Sequence, residues 1–365
     1  MNVLALVTDA FGGFGGIAQY NRDLLTALSR CDGANRVVVL PRLGRAESAL
    51  PPGVRQLPAR NGKLAYGLAA FRAARREGPH DVVFCGHLHL APLATIVARY
   101  LRRPLWLQLH GVEAWRPPTP WQRWAANRAS LVTAVSRFTR RRFLALHGAD
   151  PARVRVLPNA VDARFTPGAK PDYLLDRHRL RGKKVLLTVG RLDPLEGRKG
   201  HDRVIAALPA LIKICPDIVY LIAGKGEDRA RLAALARPLG VEDRMVFAGM
   251  VEARELADYY RLADVFVMPS SQEGFGIVFL EAAACGLKVI GGDRDGSADA
   301  LADGAIGVAI DPADPDALVR VIADALAGHG PDPARVRRFG FDNFSSHVCD
   351  LTASHLLDQK PRAAA

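Results

Sequence analysis

A chain of 365 residues exceeds what one hydrophobic core comfortably organises, so two domains are expected. Hydrophobic residues make up 49% and charged residues 24%, ordinary globular values, and no apolar run is long enough to span a bilayer, which excludes a helical membrane-spanning protein. The net charge of +13 is uneven: residues 1–165 hold 24 Lys/Arg against 9 Asp/Glu, leaving 26 against 28 for residues 166–365, so the basic excess belongs to the first half.

The opening Met1-Asn-Val-Leu-Ala-Leu-Val-Thr-Asp9 has no basic leader and reads as a first strand, not a signal peptide. Short β-branched runs follow at residues 36–40, 81–84, 105–109, 131–135 and 154–157, separated by Ala/Leu/Arg-rich helical stretches. A polar connection, Thr166-Pro-Gly-Ala-Lys-Pro171, leads to a second series at 184–189, 218–223, 245–248, 265–268, 288–290 and 307–310. Continuous apolar strands alternating with helices predict parallel sheets covered on both faces. The expected fold is therefore α/β, with two doubly wound, Rossmann-like domains at residues 1–165 and 166–344. Ligands in such sheets sit outside the carboxyl ends of the strands, which puts the expected site in a cleft where the two domains face each other. A last helical stretch at 345–357 is expected to cross back onto the first domain, with residues 360–365 frayed. Cys31, Cys85, Cys215, Cys285 and Cys349 are scattered, odd in number and free of metal-ligand spacing, which fits a reducing cytoplasm.

Four segments carry candidate chemistry. Gly12, Gly13, Gly15 and Gly16 follow the first strand and precede a predicted helix at 17–29, a loop that lets backbone approach a bound group closely. Gly13-Phe-Gly15-Gly-Ile-Ala18 also satisfies the dinucleotide fingerprint, but the second strand ends in Pro41-Arg42 without the acid that would hold a ribose, which argues against NAD. His110 ends an apolar strand and opens into the expected cleft. His87 and His89 lack an identifiable third metal ligand and suit an acceptor-side or structural role. The fourth and most informative segment is Glu273-Gly-Phe-Gly-Ile-Val-Phe-Leu-Glu281, which follows the strand at 265–268. It sets one carboxylate in a loop, free backbone N–H groups at a helix start, and a second carboxylate about two turns on. A helix start favours a phosphate and a carboxylate accepts hydrogen bonds from a sugar diol, so one patch suits an activated sugar nucleotide. Asp293-Arg-Asp295 mimics a D-x-D metal motif but falls in a glycine-flanked loop beyond this patch and reads as coincidental.

With Phe11-Gly-Gly-Phe-Gly-Gly-Ile17, Leu109-His-Gly111, Leu157-Pro-Asn-Ala-Val-Asp162, Val189-Gly-Arg191, Arg198-Lys-Gly-His-Asp202 and Ala223-Gly-Lys-Gly226 in the same order, the chain resembles the family-4 retaining glycosyltransferases of the GT-B fold. The resemblance covers nearly the whole chain. It implies that Glu281 binds the nucleotide ribose and that Glu273 contacts the transferred sugar, with Gly274, Phe275, Gly276 and Ile277 supplying backbone contacts. It also implies that the loop of Gly13, Gly15 and Gly16 lies beside the donor diphosphate, and that His110 hydrogen-bonds the donor sugar. Arg191 and Lys199 form the cationic pair that stabilises charge on the leaving diphosphate, with Arg198 a competitor for the place of Lys199. One such preorganised contact is worth ~3 kcal/mol in the transition state. No metal and no cofactor are implied; the donor is a UDP-, GDP- or ADP-sugar and the acceptor a glycan or lipid-linked hydroxyl. The arginine-rich, aromatic-bearing stretch from Trp121 to Phe143 suits either an anionic membrane surface at the inner face of the cytoplasmic membrane or plain solvation. Nucleic acid is not expected, since no recognition motif accompanies the charge. The alternatives are a non-hydrolysing sugar-nucleotide epimerase, which needs an acid/base set not identifiable here, and a non-catalytic sugar-nucleotide-binding protein. A retaining glycosidase would not require the Arg/Lys pair.

Overall fold

The computed structural model describes residues 1–31, 36–44, 49–194, 199–328 and 330–357. Arg198 and the terminal residues 360–365 lie outside the described residues. Two compact units divide the chain, residues 1–160 with 341–365 and residues 161–340. The crossing falls at 160/161 rather than after 165 because Val161 is already bridged to Gly340, closing the second unit at both its chain ends.

The first unit is built on a seven-stranded sheet whose strands pair in parallel in the order β3-β2-β1-β4-β5-β6-β7. These are β1 Asn2–Val7, β2 Arg36–Pro41, β3 Val54–Gln56, β4 Val82–Cys85, β5 Leu105–Leu109, β6 Leu131–Ala134 and β7 Val154–Val156. Strand β3 was not predicted; at three residues with only Val54 buried, it has no alternation to read. Its identity comes from pairing, Val54 lying opposite Val37. The central strands are buried end to end, as strands covered on both faces by helices must be. Helix Gly16–Arg30 shows the pattern that covers them: Ala18, Tyr20, Asn21, Leu24, Leu25, Ala27 and Leu28 are buried, a stripe of three- and four-residue spacing. Helix Arg137–His147 begins where Ser136 Oγ accepts the Thr139 N–H and ends at Gly148 in the left-handed conformation.

The chain returns to this unit through helix Phe341–Thr352, four residues earlier than predicted. It packs against helix Gly16–Arg30, with Phe344 edge-on to Tyr20 and Arg30 over the Phe341 ring. A Cys31–Cys349 disulfide spanning 318 residues closes that contact. Nothing in the scatter of five cysteines flags this pair, and its presence removes the cysteine argument for a reducing compartment.

The second unit carries a six-stranded parallel sheet, order β10-β9-β8-β11-β12-β13. Its strands are β8 Lys184–Val189, β9 Ile218–Ala223, β10 Met245–Gly249, β11 Val265–Met268, β12 Lys288–Gly292 and β13 Val308–Ile310. Helices His201–Ile214 and Pro315–Ala327 pack beside each other on one face over Leu186, Ile222, Val267 and Ile290. Both sheets reverse strand order once, between β1 and β4 in the first and between β8 and β11 in the second. A crevice opens at the carboxyl ends of the strands at such a switch point. Among the described residues, no helix is long and apolar enough to cross a membrane.

Candidate functional site

In the second unit the predicted residues converge on the switch point. Arg191 stands two residues past β8 and is exposed, and Lys199 follows just before helix His201–Ile214. The Glu273 loop comes off the neighbouring strand β11. Lys199 Nζ reaches Glu273 Oε2 at 3.1 Å, both side chains about one-fifth exposed. The lysine's methylenes lie along Gly190, where a Cβ would sit 3.1 Å from Lys199 Cδ. Gly200, at φ 84°, has no room for a side chain, since a Cβ would meet the Pro269 carbonyl oxygen at 2.5 Å.

Glu273 is held from below. Asp295, 2% exposed, accepts from the Glu273 backbone N–H at 2.7 Å, from Ser270 Oγ at 2.8 Å and, through its other oxygen, from the Ser297 N–H at 2.9 Å. Gly296 donates its N–H to the Glu273 carbonyl at 2.8 Å and packs so tightly that a Cβ would lie 2.0 Å from Gly274 O. The chain then turns through Gly274, buried Phe275 and Gly276 into helix Ile277–Ala284. Gly276 is the left-handed N-cap, where a Cβ would also strike the Phe279 ring at 2.5 Å. Phe275 faces inward against Phe339, leaving only its backbone for a ligand. Glu281 lies in the second turn, almost wholly buried, and accepts the Tyr260 hydroxyl proton at 2.7 Å. Burial pushes its pKa up to about 7, against the opposing pull of the Tyr260 hydrogen bond and the Arg164 charge.

The first unit assembles a second group at its own switch point. In the turn after β1, a Cβ at residue 13 would meet the Asp9 carboxyl at 2.1 Å, so any larger residue there would have to displace that side chain. Arg22, in the second turn of the following helix, fixes the loop by donating to the Ala10 and Gly13 carbonyls at 3.1 and 2.8 Å. Gly15, at φ 91°, and Gly16 have open space around them, so backbone is available to a ligand there. His110 follows β5, whose end is fixed by a buried polar chain: Trp106 Nε1 donates to Thr133 Oγ1 at 2.7 Å, Thr133 to Gln108 Oε1 at 2.5 Å, and Tyr20 to the same oxygen at 3.0 Å. His110 Nε2 donates to the Gly86 carbonyl at 2.9 Å, which leaves Nδ1 as the imidazole's acceptor. Burial lowers its pKa despite the nearby Glu113 carboxylate, which itself accepts the His110 backbone N–H at 2.5 Å. His87 lies between His89 and His110, its ring tilted against both with centroids at 4.7 and 6.0 Å, and burial pushes its pKa down to about 4. Among the described residues, no group of three or more His, Cys, Asp or Glu side chains is set to hold a metal ion.

Residues 14–165 match the family model "Glycosyltransferase Family 4" and residues 176–340 match "Glycosyl transferases group 1". A GDP-mannose-dependent alpha-(1-6)-phosphatidylinositol monomannoside mannosyltransferase of Mycolicibacterium smegmatis is 35% identical over 318 residues, covering 80% of this chain and 81% of the relative. The chain is a GT-B glycosyltransferase of family 4. A D-inositol 3-phosphate glycosyltransferase of Acidothermus cellulolyticus is 31% identical over 346 residues, 82% of this chain and 75% of the relative. The fold of Anabaena HepE, solved with UDP and glucose, superimposes with a TM-score of 0.79 over 97% of this chain and 100% of that one, at 20% identity.

Within this glycosyltransferase, the structure brings Glu273 and Lys199 into direct contact and sets Glu281 on the helix behind them. It corrects the reading of Asp293-Arg-Asp295: Asp295 is not beyond the patch but underneath it, as the anchor of the Glu273 loop. Tyr260, Tyr20, Asp9 and Glu113 were missed as well. A tyrosine in an apolar helix, such as Tyr260 in Leu256–Leu262, reads as core, and only the fold shows which carboxylate its hydroxyl meets.

Proposed function

We propose that this glycosyltransferase is a retaining, metal-independent hexosyltransferase that moves a hexose, mannose from GDP-mannose first, to a hydroxyl of a glycan or lipid-linked acceptor in surface-glycan or glycolipid synthesis. The observation that carries the reading is the Lys199–Glu273 pair beside the start of helix Ile277–Ala284, with Glu281 buried on that helix. The mannosyl donor and an inositol-type acceptor are suggested by the relatives' names.

In this reading Lys199 and Arg191 neutralise the diphosphate as the bond from the sugar's anomeric carbon to the phosphate oxygen breaks. The acceptor oxygen bonds the same carbon from the same face, and its proton passes to the departing phosphate oxygen, so no protein base is required. Glu273, tied to Lys199 and to the Asp295 anchor, orients sugar hydroxyls and is not the nucleophile. Glu281 accepts from the ribose diol, the glycine loop faces the diphosphate, and His110 hydrogen-bonds the transferred sugar.

Calorimetric titration with GDP, UDP, ADP and NAD, with and without EDTA, tests this directly. Selective, EDTA-insensitive binding of one nucleoside diphosphate is expected, GDP foremost. Binding of NAD alone, or of no diphosphate, would sink the donor assignment.

A further inference from the structure

His201 has no part in the transfer chemistry proposed above, yet it opens helix His201–Ile214 directly after Lys199-Gly200 and is only 4% exposed. Its Nδ1 lies 2.8 Å from the Tyr220 hydroxyl of β9, that hydroxyl lies 2.8 Å from Thr188 Oγ1 of β8, and Thr188 donates to the Val267 carbonyl of β11. A carbonyl can only accept, so it takes the Thr188 proton, and Thr188 Oγ1 must then accept from Tyr220. The Tyr220 oxygen is left to accept from His201, which fixes the imidazole as the Nδ1–H tautomer. Burial raises the Tyr220 pKa and keeps its hydroxyl protonated, as the chain requires. Nε2 is then a buried lone pair, and it meets no partner among the described residues. Burial also pushes the His201 pKa down to about 4, and the Lys199 charge adds to the effect. Asp202 and Asp228 oppose it, but Arg231 pairs with both carboxylates. His201 is therefore a neutral donor at physiological pH.

The chain of hydrogen bonds crosses the sheet at its switch point, joining the helix start to β9, β8 and β11 in turn. Arg191 follows β8 and the Glu273 loop follows β11. The same helix start is held to the end of β11, where Arg203 donates to the Pro269 carbonyl at 3.0 Å and Gly200 packs on that carbonyl oxygen. Lys199 leaves this clamped point with its methylenes along Gly190 and its Nζ on Glu273. A lysine stem is flexible, so where its ammonium comes to rest depends on where its backbone is anchored. Apolar side chains of the same shape could fill this part of the core at little cost in stability. What the polar chain adds is a fixed register between the helix start and three strand ends.

We infer that His201 is a positioning residue: through the Tyr220–Thr188–Val267 chain it fixes the helix start, and with it Lys199, in register with Arg191 and the Glu273 loop to receive a nucleoside diphosphate. The inference rests on the transfer reading given above and adds to it a residue that acts through Lys199.

GDP affinity of the full chain and its variants is measured by calorimetry, with UDP or ADP in its place if the wild type selects one of those. H201L, which fills a similar volume without a donor, should bind the diphosphate at least about tenfold more weakly. H201N, whose amide N–H takes the place of Nδ1–H, should recover most of that loss. In a K199M background H201L should cost nothing further, because the group it positions is gone. A purely structural role would cost the same factor in either background. Y220F breaks the same chain and serves in the same cycle if H201L unfolds. The ligand-free wild type supplies a second readout. Long-range proton–nitrogen correlation spectra, with the His201 signal identified by its loss in H201N, should show a protonated Nδ1 and a bare Nε2. The positioning role is overturned if H201L and Y220F keep wild-type affinity, if their loss is equally large with K199M, if H201N recovers nothing, or if the proton sits on Nε2. Diphosphate binding that is indifferent to H201L and Y220F sinks the positioning role alone. A wild type that keeps the Nδ1–H tautomer but binds no nucleoside diphosphate sinks the transfer reading, and the positioning role with it.

Discussion

Glu281 sits where an ionised carboxylate is disfavoured, in the apolar helix Ile277–Ala284 with one hydroxyl partner, and its pKa rises to about 7 from an ordinary 4.5. Because the folded value lies above the unfolded one, the neutral form stabilises the ligand-free fold fully below pH 4.5, and that contribution is lost as pH rises through about 7. The span corresponds to about 3 kcal/mol. A ribose diol bound at Glu281 as proposed would reverse the preference, since two donated hydrogen bonds favour the carboxylate. Nucleotide affinity should therefore rise with pH through about 7. In Glu281→Gln that rise should vanish, and affinity at pH 8 should fall on the order of tenfold through loss of a charged acceptor. Calorimetry across pH 6–8 checks both, and an unchanged pH profile in the variant would remove the ribose role. Asp295 shows the complementary logic. Burial raises its pKa as well, yet the hydrogen bonds it accepts from the Glu273 loop, Ser270 and Ser297 offset the cost.

At the scale of elements, the helix that returns the chain to the first unit is held by its rings and by the Cys31–Cys349 bond. Its Phe344 touches Tyr20, and Tyr20 in turn donates to Gln108 and to the Leu157 carbonyl and lies edge-on to His110 at 5.3 Å. A cross-link closing so long a segment restricts the unfolded chain by up to about 5 kcal/mol in the chain-entropy picture. Cys349→Ser should lower the melting temperature of the first unit by on the order of 5 °C or more while leaving the second unchanged. Scanning calorimetry of the variant and of the reduced wild type should agree; no shift in either would mean that the disulfide adds nothing to packing.

For the whole molecule, two separate cores predict two calorimetric transitions rather than one. The residues proposed to hold the donor, Arg191, Lys199, Glu273 and Glu281, all belong to the second unit, so a nucleoside diphosphate should raise that unit's transition. At a hundredfold excess over Kd the linkage is about 2.7 kcal/mol, or on the order of 5–10 °C for a unit of this size. A shift confined to the first unit would place the diphosphate elsewhere.

The amino-acid sequence by itself determined the two α/β units, twelve of the thirteen strands among the described residues, and the positions of Glu273, Glu281, Lys199, Arg191, His110 and the glycine loop. Those signals are local: apolar runs, glycines where backbone turns tightly, and polar residues just past strand ends. The tertiary structure alone decided what those residues meet. Lys199 and Glu273 are 74 residues apart, Tyr260 and Glu281 are 21, Tyr20 and Gln108 are 88, and Cys31 and Cys349 are 318. Such pairings leave no trace in spacing, because they are made by strand order and helix packing.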